Sequence, residues 1–100
     1  MVITVINIRV RPEKRREIEQ TLCSIVEHVS KQRGCLNTCV YQNLENDDDY
    51  LVVEKWATQK DLEDHLQSDI FTVFVGAGSL MIRKPEIVAY MIQQSKELSV

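Results

Sequence analysis

The sequence has few of the residues that build disulfide, metal or membrane structures. Its cysteines are only three, an odd number, and no two of them form a Cys-x-x-Cys pair, so we expect no disulfide framework. No phosphate-binding loop, dinucleotide fingerprint or cluster of metal ligands occurs. No segment approaches the ~20 consecutive apolar residues of a membrane span. We therefore expect a cytoplasmic protein that holds no metal and has no membrane partner.

Excess positive charge is also missing. The net charge is −3 and the isoelectric point is about 5.3, which argues against a nucleic-acid partner. The one basic cluster, at residues 9–16, is interleaved with glutamates and is better explained as a solvated helix start. The apolar N-terminus follows no basic segment and precedes no small-residue cleavage site, so it is not expected to be a signal peptide.

Proline and glycine are scarce as well, with two and three residues in a chain of 100. No linker rich in these residues divides the sequence, and its length is that of one domain. We expect a single domain over residues 1–93. A polar C-terminal tail, residues 94–100, follows it.

Hydrophobic periodicity predicts the first half of the domain. Residues 2–10 are rich in β-branched side chains and indicate a strand. After Pro12, which suits a first helical turn, an apolar stripe at helical spacing indicates an amphipathic helix that stops before Gly34. The stripe consists of Ile18, Leu22, Ile25, Val26 and Val29. Residues 35–44 then indicate a second strand.

An acidic turn at residues 45–49 leads to a third strand at 50–56. Thr58 is the predicted N-cap of a second helix, which Ser68 interrupts and restarts, and Gly76 and Gly78 end it. A last strand is expected at 87–92. The order β-α-β-β-α-β predicts a ferredoxin-like α+β fold, with one antiparallel sheet and both helices on one of its faces.

The strands carry apolar residues on both faces, as at residues 3–6 and 51–53. Because helices cover only one face, the other needs a second cover. The simplest cover is another copy of the chain, so the sequence predicts a homodimer.

Few side chains stand out as candidates for chemistry. Glu54 and Trp56 share one face of the third strand. Glu54 is a helix cap, the partner of an arginine such as Arg9, or a general base. Trp56 is either a large core or boundary residue or an aromatic wall that stacks on a flat ligand. His65 lies on the apolar face of the second helix and is either structural, bonded to backbone or to Glu54, or a proton-transfer group. Asn7 lies on the strand face away from the helices, as a rim residue or as a hydrogen-bond donor to a substrate.

The cysteines are expected to be small buried hydrophobes. Cys35 and Cys39 are four residues apart in one strand, which predicts that they share a face. His28 is expected to be solvated.

Several short motifs occur along the chain in a fixed order. They are Val10-Arg11-Pro12-x-Lys14-Arg15 with Glu19, Gly34-Cys35-Leu36, Val40-x-Gln42, Val53-Glu54-x-Trp56, His65-Leu66-x-Ser68 and Phe71-x-x-Phe74. Together they resemble the antibiotic biosynthesis monooxygenase family. The resemblance covers nearly the whole chain, with one departure: Thr38 stands where the family often has an aromatic residue.

The resemblance implies a dimeric α/β barrel of two ferredoxin-like subunits, each with a pocket between sheet and helices. It also implies oxidation of a quinol or polycyclic phenol by O2 without metal or flavin, because a deprotonated electron-rich phenol can itself reduce oxygen. The protein then supplies a dry pocket, a base and a hydrogen-bond donor. The residues that the resemblance assigns to these roles are Trp56, Phe71 and Phe74 for the pocket, His65 for the base and Asn7 for the donor.

Two alternatives stay open at this point. One is a non-catalytic dimeric module that binds a small hydrophobic ligand. The other is an isomerase acting on a phosphorylated autoinducer-like sugar, as in a relative that has a Glu and a His at positions resembling Glu54 and His65. In that case Arg9 or Arg83 serves the phosphate. A haem-degrading role is disfavoured, since Val75 stands where those relatives have a histidine.

Overall fold

A computed structural model describes residues 1–99. The elements of this part of the chain are β1 (Val2–Arg9), a 3-10 turn (Pro12–Lys14), α1 (Arg15–Val29), β2 (Cys35–Gln42), β3 (Asp49–Trp56), α2 (Gln59–Leu66), α3 (Asp69–Gly76), a second 3-10 turn (Ala77–Leu80) and β4 (Glu86–Met91). The predicted β-α-β-β-α-β order is confirmed, with the second helix divided into α2 and α3. Residues 92–99 form no helix or strand, and Val100, the end of the predicted tail, lies outside the described residues.

The strands form one fully antiparallel sheet in the order β2-β3-β1-β4. This is the ferredoxin-like α+β arrangement, in which β3 separates β1 from β2. The register places Thr4 of β1 and Thr38 of β2 on either side of Glu54 in β3. One row across the middle of the sheet is therefore polar.

The helices cover the sheet face that carries the alternate residues of β1 beginning at Val2. On that face Ile8 and Trp56 are fully buried, as are Ile18 and Leu22 from α1. This core is the apolar stripe of α1 packed onto the even-numbered residues of β1 and β3. The period of 3.6 in the helix and of 2 in the strands accounts for both faces.

The opposite sheet face lacks a cover in the described chain. Across it, Cys39, Val53, Val5 and Val88 stand side by side in register, and Val88 is 47% exposed. We call this surface, with Ile3, Leu51, Tyr41 and Tyr90 around that row, the open face.

The prediction that Cys35 and Cys39 share one face of the strand is wrong. A bulge between Cys35 and Asn37 shifts the register of β2, so Cys35 lies opposite Trp56 and packs on the core, while Cys39 lies opposite Val53 on the open face. One extra residue in a strand reverses the facing of everything that follows it. The two thiols therefore lie on opposite sides of the sheet.

Side-chain caps begin both parts of the second helix, as predicted. The Thr58 hydroxyl accepts a hydrogen bond from the backbone N–H of Asp61 at 3.1 Å, and the Ser68 hydroxyl accepts one from Phe71 at 3.3 Å. Each satisfies a backbone donor that the helix itself leaves unpaired. The break at Ser68 turns the chain so that α3 contacts α1.

Gly34 is the one residue of residues 1–99 with a positive φ, at 81°. A Cβ there would also collide with the side chain of Asp61. We expect Gly34→Ala to lower the free energy of unfolding by about 1–2 kcal/mol or more, through left-handed strain and the clash. Gly78→Ala is the matched control, because a Cβ at Gly78 meets nothing within 4 Å. Equal urea midpoints for the two variants would contradict this explanation.

Candidate active site

Glu54 is a carboxyl group held inside the core by the pleat of β3. It is 4% exposed, and its Oε1 accepts hydrogen bonds from the Thr4 hydroxyl at 2.9 Å and from the Trp56 indole N–H at 3.4 Å. Burial raises the pKa of Glu54, and the hydrogen bonds from Thr4 and Trp56 act against that rise. A buried carboxyl whose second oxygen is still available is a group prepared for proton transfer.

His65 faces that second oxygen from α2. Its Nε2 lies 3.7 Å from Glu54 Oε2, and its Nδ1 lies 2.5 Å from Gln32 Oε1. Desolvation by burial lowers the pKa of His65 to about 4, so the imidazole is neutral at pH 7. A neutral imidazole can take up a proton, which is what a general base requires.

Aromatic rings fix the plane of the imidazole. Trp56 stacks on His65 with ring centroids 4.7 Å apart, and Phe71 meets it edge-on at 5.6 Å. Phe74 extends the aromatic series at 5.9 Å from Phe71. The imidazole is therefore packed between aromatic rings of β3 and α3.

A small cavity lies beside the carboxyl and the imidazole, enclosed by the sheet, α1 and α3. It has room for about one water molecule, with about 10 Å³ open to the centre of a water-sized sphere. Its other walls are apolar: Ile6, Leu22, Ile25, Val26, Val52, Ile70, Phe71 and Phe74. We call it the inner cavity.

Leu22 also lines a separate and wider cleft between α1 and the β2 side of the sheet. The cleft has a volume of about 310 Å³. On its wall the Tyr50 hydroxyl donates to Glu19 Oε1 at 2.8 Å and accepts from Gln42 Nε2 at 3.3 Å. We call it the outer cleft; one leucine side chain is common to its wall and that of the inner cavity.

The structure brings together four of the seven predicted site residues around one point. Glu54, His65, Phe71 and Phe74 all line the inner cavity. Trp56 is fully buried and stacks on His65, and it is not among the residues that line the inner cavity, so it supports the imidazole rather than forming a wall of that cavity.

The structure does not bring the other two predicted site residues, Asn7 and Arg9, to the inner cavity. Asn7 lies on the open face, where its amide donates to Asp49 Oδ1 at 3.0 Å and its Oδ1 accepts from Arg83 at 2.8 Å. Since alternate residues of a strand point to opposite faces, the assignment of Asn7 as the donor in the His65 pocket is wrong for one subunit. Arg9 is exposed and pairs in register with Asp49, far along β1 from Thr4, so its suggested pairing with Glu54 is also wrong.

Gln32 and Thr4 were not predicted to belong to the site, and Thr38 was noted only as a departure from the family pattern. Thr4 was detectable, since the strand period places it on the helix-facing side with Val2 and Ile6. Nothing in the local pattern singles out Gln32, which lies in the turn after α1, 33 residues before its partner. Thr38 is 8% exposed, and its hydroxyl has no hydrogen-bond partner among residues 1–99.

Comparison with known proteins agrees with this fold. The sequence profile of the antibiotic biosynthesis monooxygenase family matches residues 1–77. The chain belongs to that family.

Solved structures are similar to more of the chain than residues 1–77, which the family profile matches. A conserved protein from Methanosarcina mazei is 32% identical, with a TM-score of 0.83 over 90% of this chain and 91% of that one. A structure from Deinococcus radiodurans that carries the name "putative antibiotic biosynthesis monooxygenase" has a TM-score of 0.91 over the full length of both chains at 20% identity. At that identity the second likeness concerns the fold alone.

Two sequence relatives differ in how much of their length is matched. An uncharacterized protein from Synechocystis is 29% identical over 92% of this chain, and the chain spans 63% of that protein. A Bacillus subtilis protein that carries the name "Putative monooxygenase YcnE" is 25% identical over 85% of this chain and 90% of its own length.

This family member offers no grouped metal ligands in its described part. Within residues 1–99, no three His, Cys, Asp or Glu side chains come together in a way that could hold a metal ion. Over the same residues, no helix is both long and apolar enough to cross a membrane.

The lowered pKa of His65 predicts a pH-dependent loss of stability. Between pH 6.5 and about 4 the unfolded chain binds a proton at this site and the folded protein does not, so stability falls as the pH drops through that window. Solvent screening at the neighbouring surface reduces the full effect to about 1–3 kcal/mol. We expect the unfolding free energy of the wild type, measured by urea denaturation, to fall by this amount relative to His65→Gln.

The informative quantity is the difference in unfolding free energy between the wild type and His65→Gln at each pH. The raised pKa of Glu54 lets the folded protein take up a proton first, which stabilises it as the pH falls and opposes the effect of His65. Parallel stability curves for wild type and His65→Gln from pH 7 to 4 would contradict the burial of a neutral imidazole.

Proposed function

We propose that the chain is a cofactor-independent monooxygenase that oxidises a quinol or polycyclic phenol with O2 in the inner cavity. The observation that carries this proposal is the buried pair of Glu54 and a neutral His65 on an otherwise apolar and aromatic cavity. Family membership supports oxygen chemistry, and the residues supply what an electron-rich phenol needs to reduce oxygen itself.

The proposed reaction begins with proton transfer from the substrate to His65. His65 Nε2 takes the proton of the phenol, and the resulting phenolate is electron-rich enough to react with O2. In the oxidation of a polycyclic phenol, one oxygen atom ends as a carbonyl on a ring carbon that loses two hydrogens, and the other leaves as water. Water exclusion by Phe71, Phe74 and Ile70 protects the reactive intermediates.

The hydrogen-bond donor for the developing negative oxygen is the base itself. Asn7 cannot serve from the open face, and the Trp56 N–H already donates to Glu54 Oε1. Once His65 has taken the substrate proton, its imidazolium is a charged donor at the same place. Glu54 stabilises that cation, since opposite charges attract strongly in a buried site.

A substrate must enlarge the inner cavity. A bicyclic phenol needs hundreds of Å³, far more than a single water position. The outer cleft already has about 310 Å³ on the other side of Leu22. We therefore propose that the substrate enters from the outer cleft and displaces the Leu22 side chain.

The isomerase alternative has less support. A sugar phosphate needs cationic groups near the reacting carbon, and no lysine or arginine lines the inner cavity. Arg83 is engaged with Glu86 and Asn7, and Arg9 lies on the open face with Asn7. Neither is placed to hold a phosphate beside His65. Arg33 lies in a surface cleft on the other side of the imidazole, together with two aspartates and outside the inner cavity.

Oxygen-electrode assays test the proposed activity. Reduced naphthoquinones and polycyclic phenols are incubated with the protein in air, with a heat-denatured sample to measure spontaneous oxidation. We expect uptake of O2 that is proportional to protein and insensitive to a metal chelator. Absence of protein-dependent uptake with every member of the panel, together with binding of the same compounds, would favour the alternative of a non-catalytic binding module.

We also propose that two copies associate through the open face. The row of Cys39, Val53, Val5 and Val88 is an apolar stripe across all four strands, and Tyr90 beside it is 51% exposed. A two-fold contact of sheet on sheet would bury it in both copies. Light scattering at micromolar concentration should give about twice the chain mass of 11.6 kDa, and a monomeric mass would contradict the proposal.

A further inference from the structure

His65 is shared between two separate spaces in the molecule. Its Nε2 side faces Glu54 and the inner cavity. Its Nδ1 side faces Gln32 and a surface cleft of about 170 Å³, lined by Gln32, Arg33, Trp56, Asp61, Asp64 and His65. One imidazole thus separates a closed space from an open one.

Gln32 is held firmly in place by its own backbone. Its N–H donates to the Val29 carbonyl at 3.0 Å, and its carbonyl accepts from the Cys35 N–H at 3.1 Å. The turn between α1 and β2 therefore presents the side-chain amide to His65 from a fixed position. A side chain supported in this way can impose an orientation on its partner.

A neutral imidazole carries one proton, and its partners decide which nitrogen holds it. In the amide orientation that places the Gln32 carbonyl oxygen 2.5 Å from Nδ1, that oxygen can only accept, so the proton is on Nδ1. We propose that Gln32 is a positioning residue that keeps His65 in the Nδ1–H tautomer, which leaves the lone pair of Nε2 facing the inner cavity. Its importance for catalysis rests on the proposed function, but the tautomer itself does not.

Glu54 is the group that opposes this tautomer. A carboxylate oxygen near Nε2 attracts a proton to that nitrogen, but at 3.7 Å it is beyond hydrogen-bond distance, whereas Gln32 is well within it. Asp61 and Asp64 of α2 and Arg33 of the turn are the charged groups on the Nδ1 side. Two carboxylates against one guanidinium give this side a net negative charge, which attracts the amide NH2 end of Gln32 towards the cleft and turns its carbonyl towards the ring.

The aromatic neighbours do not compete for either nitrogen. Trp56 stacks on the ring face and its N–H is directed to Glu54, while Phe71 offers only carbon atoms. The choice of tautomer therefore depends on Gln32 and Glu54 alone among the packed partners, and the shorter contact decides it.

Long-range ¹H–¹⁵N correlation spectra of the histidine rings measure the tautomer directly. The chain has two histidines, and His28 is an internal reference because its Nδ1 lies 2.8 Å from the Ser24 carbonyl, which can only accept. At about pH 8, where imidazoles are neutral, we expect His65 to show the Nδ1–H pattern, as His28 does. An Nε2–H pattern for wild-type His65 would overturn the proposal.

Two variants of Gln32 extend the test. In Gln32→Leu the carbonyl is lost, so His65 should change to the Nε2–H form facing Glu54, with His28 unchanged. In Gln32→Glu a carboxylate replaces the amide, so the Nδ1–H form should persist and the pKa of His65 should rise. Retention of Nδ1–H in folded Gln32→Leu would show that another group sets the tautomer. If Gln32→Leu does not fold, the spectra of the wild type and of Gln32→Glu still test whether Gln32 sets the tautomer of His65.

Activity separates this inference from the proposed function. If the chain oxidises a phenol, Gln32→Leu should lower kcat/KM on the order of tenfold or more, because a wrong tautomer removes the base. Gln32→Glu should restore much of the rate, with the acid limb of its pH profile moved to higher pH. If no substrate is oxidised, the proposed function fails, and the ring spectra still test the role of Gln32.

Discussion

Replacing His65 with alanine is expected to lower protein-dependent oxygen uptake by about 10²–10⁴-fold. That range is what a positioned acid or base contributes, and no second imidazole is near, since His28 is exposed on α1. Glu54 remains in the variant, but it has lost the group that faces the cavity with it. The loss should appear in kcat as much as in kcat/KM, because proton removal belongs to the chemical step.

Two comparisons make this result specific. His28→Ala should retain the wild-type rate, and circular dichroism should show that His65→Ala is folded. The pH profile of the wild type provides a further check: since burial lowers the pKa of His65 to about 4, kcat/KM should fall near that pH rather than near 6.5. A rate for His65→Ala within a few-fold of the wild type would remove His65 from the mechanism.

Replacing Trp56 with alanine is expected to lower the free energy of unfolding by about 3–5 kcal/mol. The indole is fully buried at the end of β3, stacks on His65 and donates to Glu54. Its removal leaves a cavity and one fewer hydrogen bond to a buried carboxyl. Against a typical total of about 5–15 kcal/mol, that loss is a large fraction of the stability, and it leaves a protein at the low end of this range barely folded.

Trp56 is the only tryptophan, so unfolding of the variant has to be followed by circular dichroism rather than by its fluorescence. Trp56→Phe keeps most of the buried ring and loses the N–H, and we expect it to be intermediate. Leu44→Ala is the control for a large apolar residue that is fully exposed, and it should change stability by less than about 0.5 kcal/mol. Similar urea midpoints for Trp56→Ala and Leu44→Ala would contradict the structural role of the indole.

The fold was predictable because local signals and the global arrangement agree. Pro12, Thr58 and Ser68 start helical segments by chemistry that sequence alone reveals, and Gly34 adopts the one backbone conformation that favours glycine. The bulge in β2 was not predictable, since Cys35 to Gln42 shows no glycine or proline to mark it. Its effect, the separation of Cys35 from Cys39, depends on a register that only the paired strand defines.

The candidate site was predictable in part, for the same reason. Glu54 and Trp56 share a face because the strand period is two, and His65 faces them because it lies on the apolar side of its helix. The same period placed Asn7 on the other face, as a rim residue or a donor to a substrate, and the family resemblance then assigned it to the same pocket as His65. Gln32 could not be found, because a turn residue far along the chain meets His65 only after α1 and α2 have packed.

The inner cavity is the centre of the proposed function, and ligand binding tests it most directly. We suggest titrating ¹⁵N- and methyl-labelled protein with 2-naphthol, a phenol that is stable in air over the experiment. We expect the largest chemical-shift changes at the His65 ring, the Phe71 and Phe74 amides and the Leu22 methyls, with His28 unchanged. Saturable shifts confined to Tyr50, Gln42 and Glu19 in the outer cleft, with His65 and its neighbours unmoved, would contradict a site at His65.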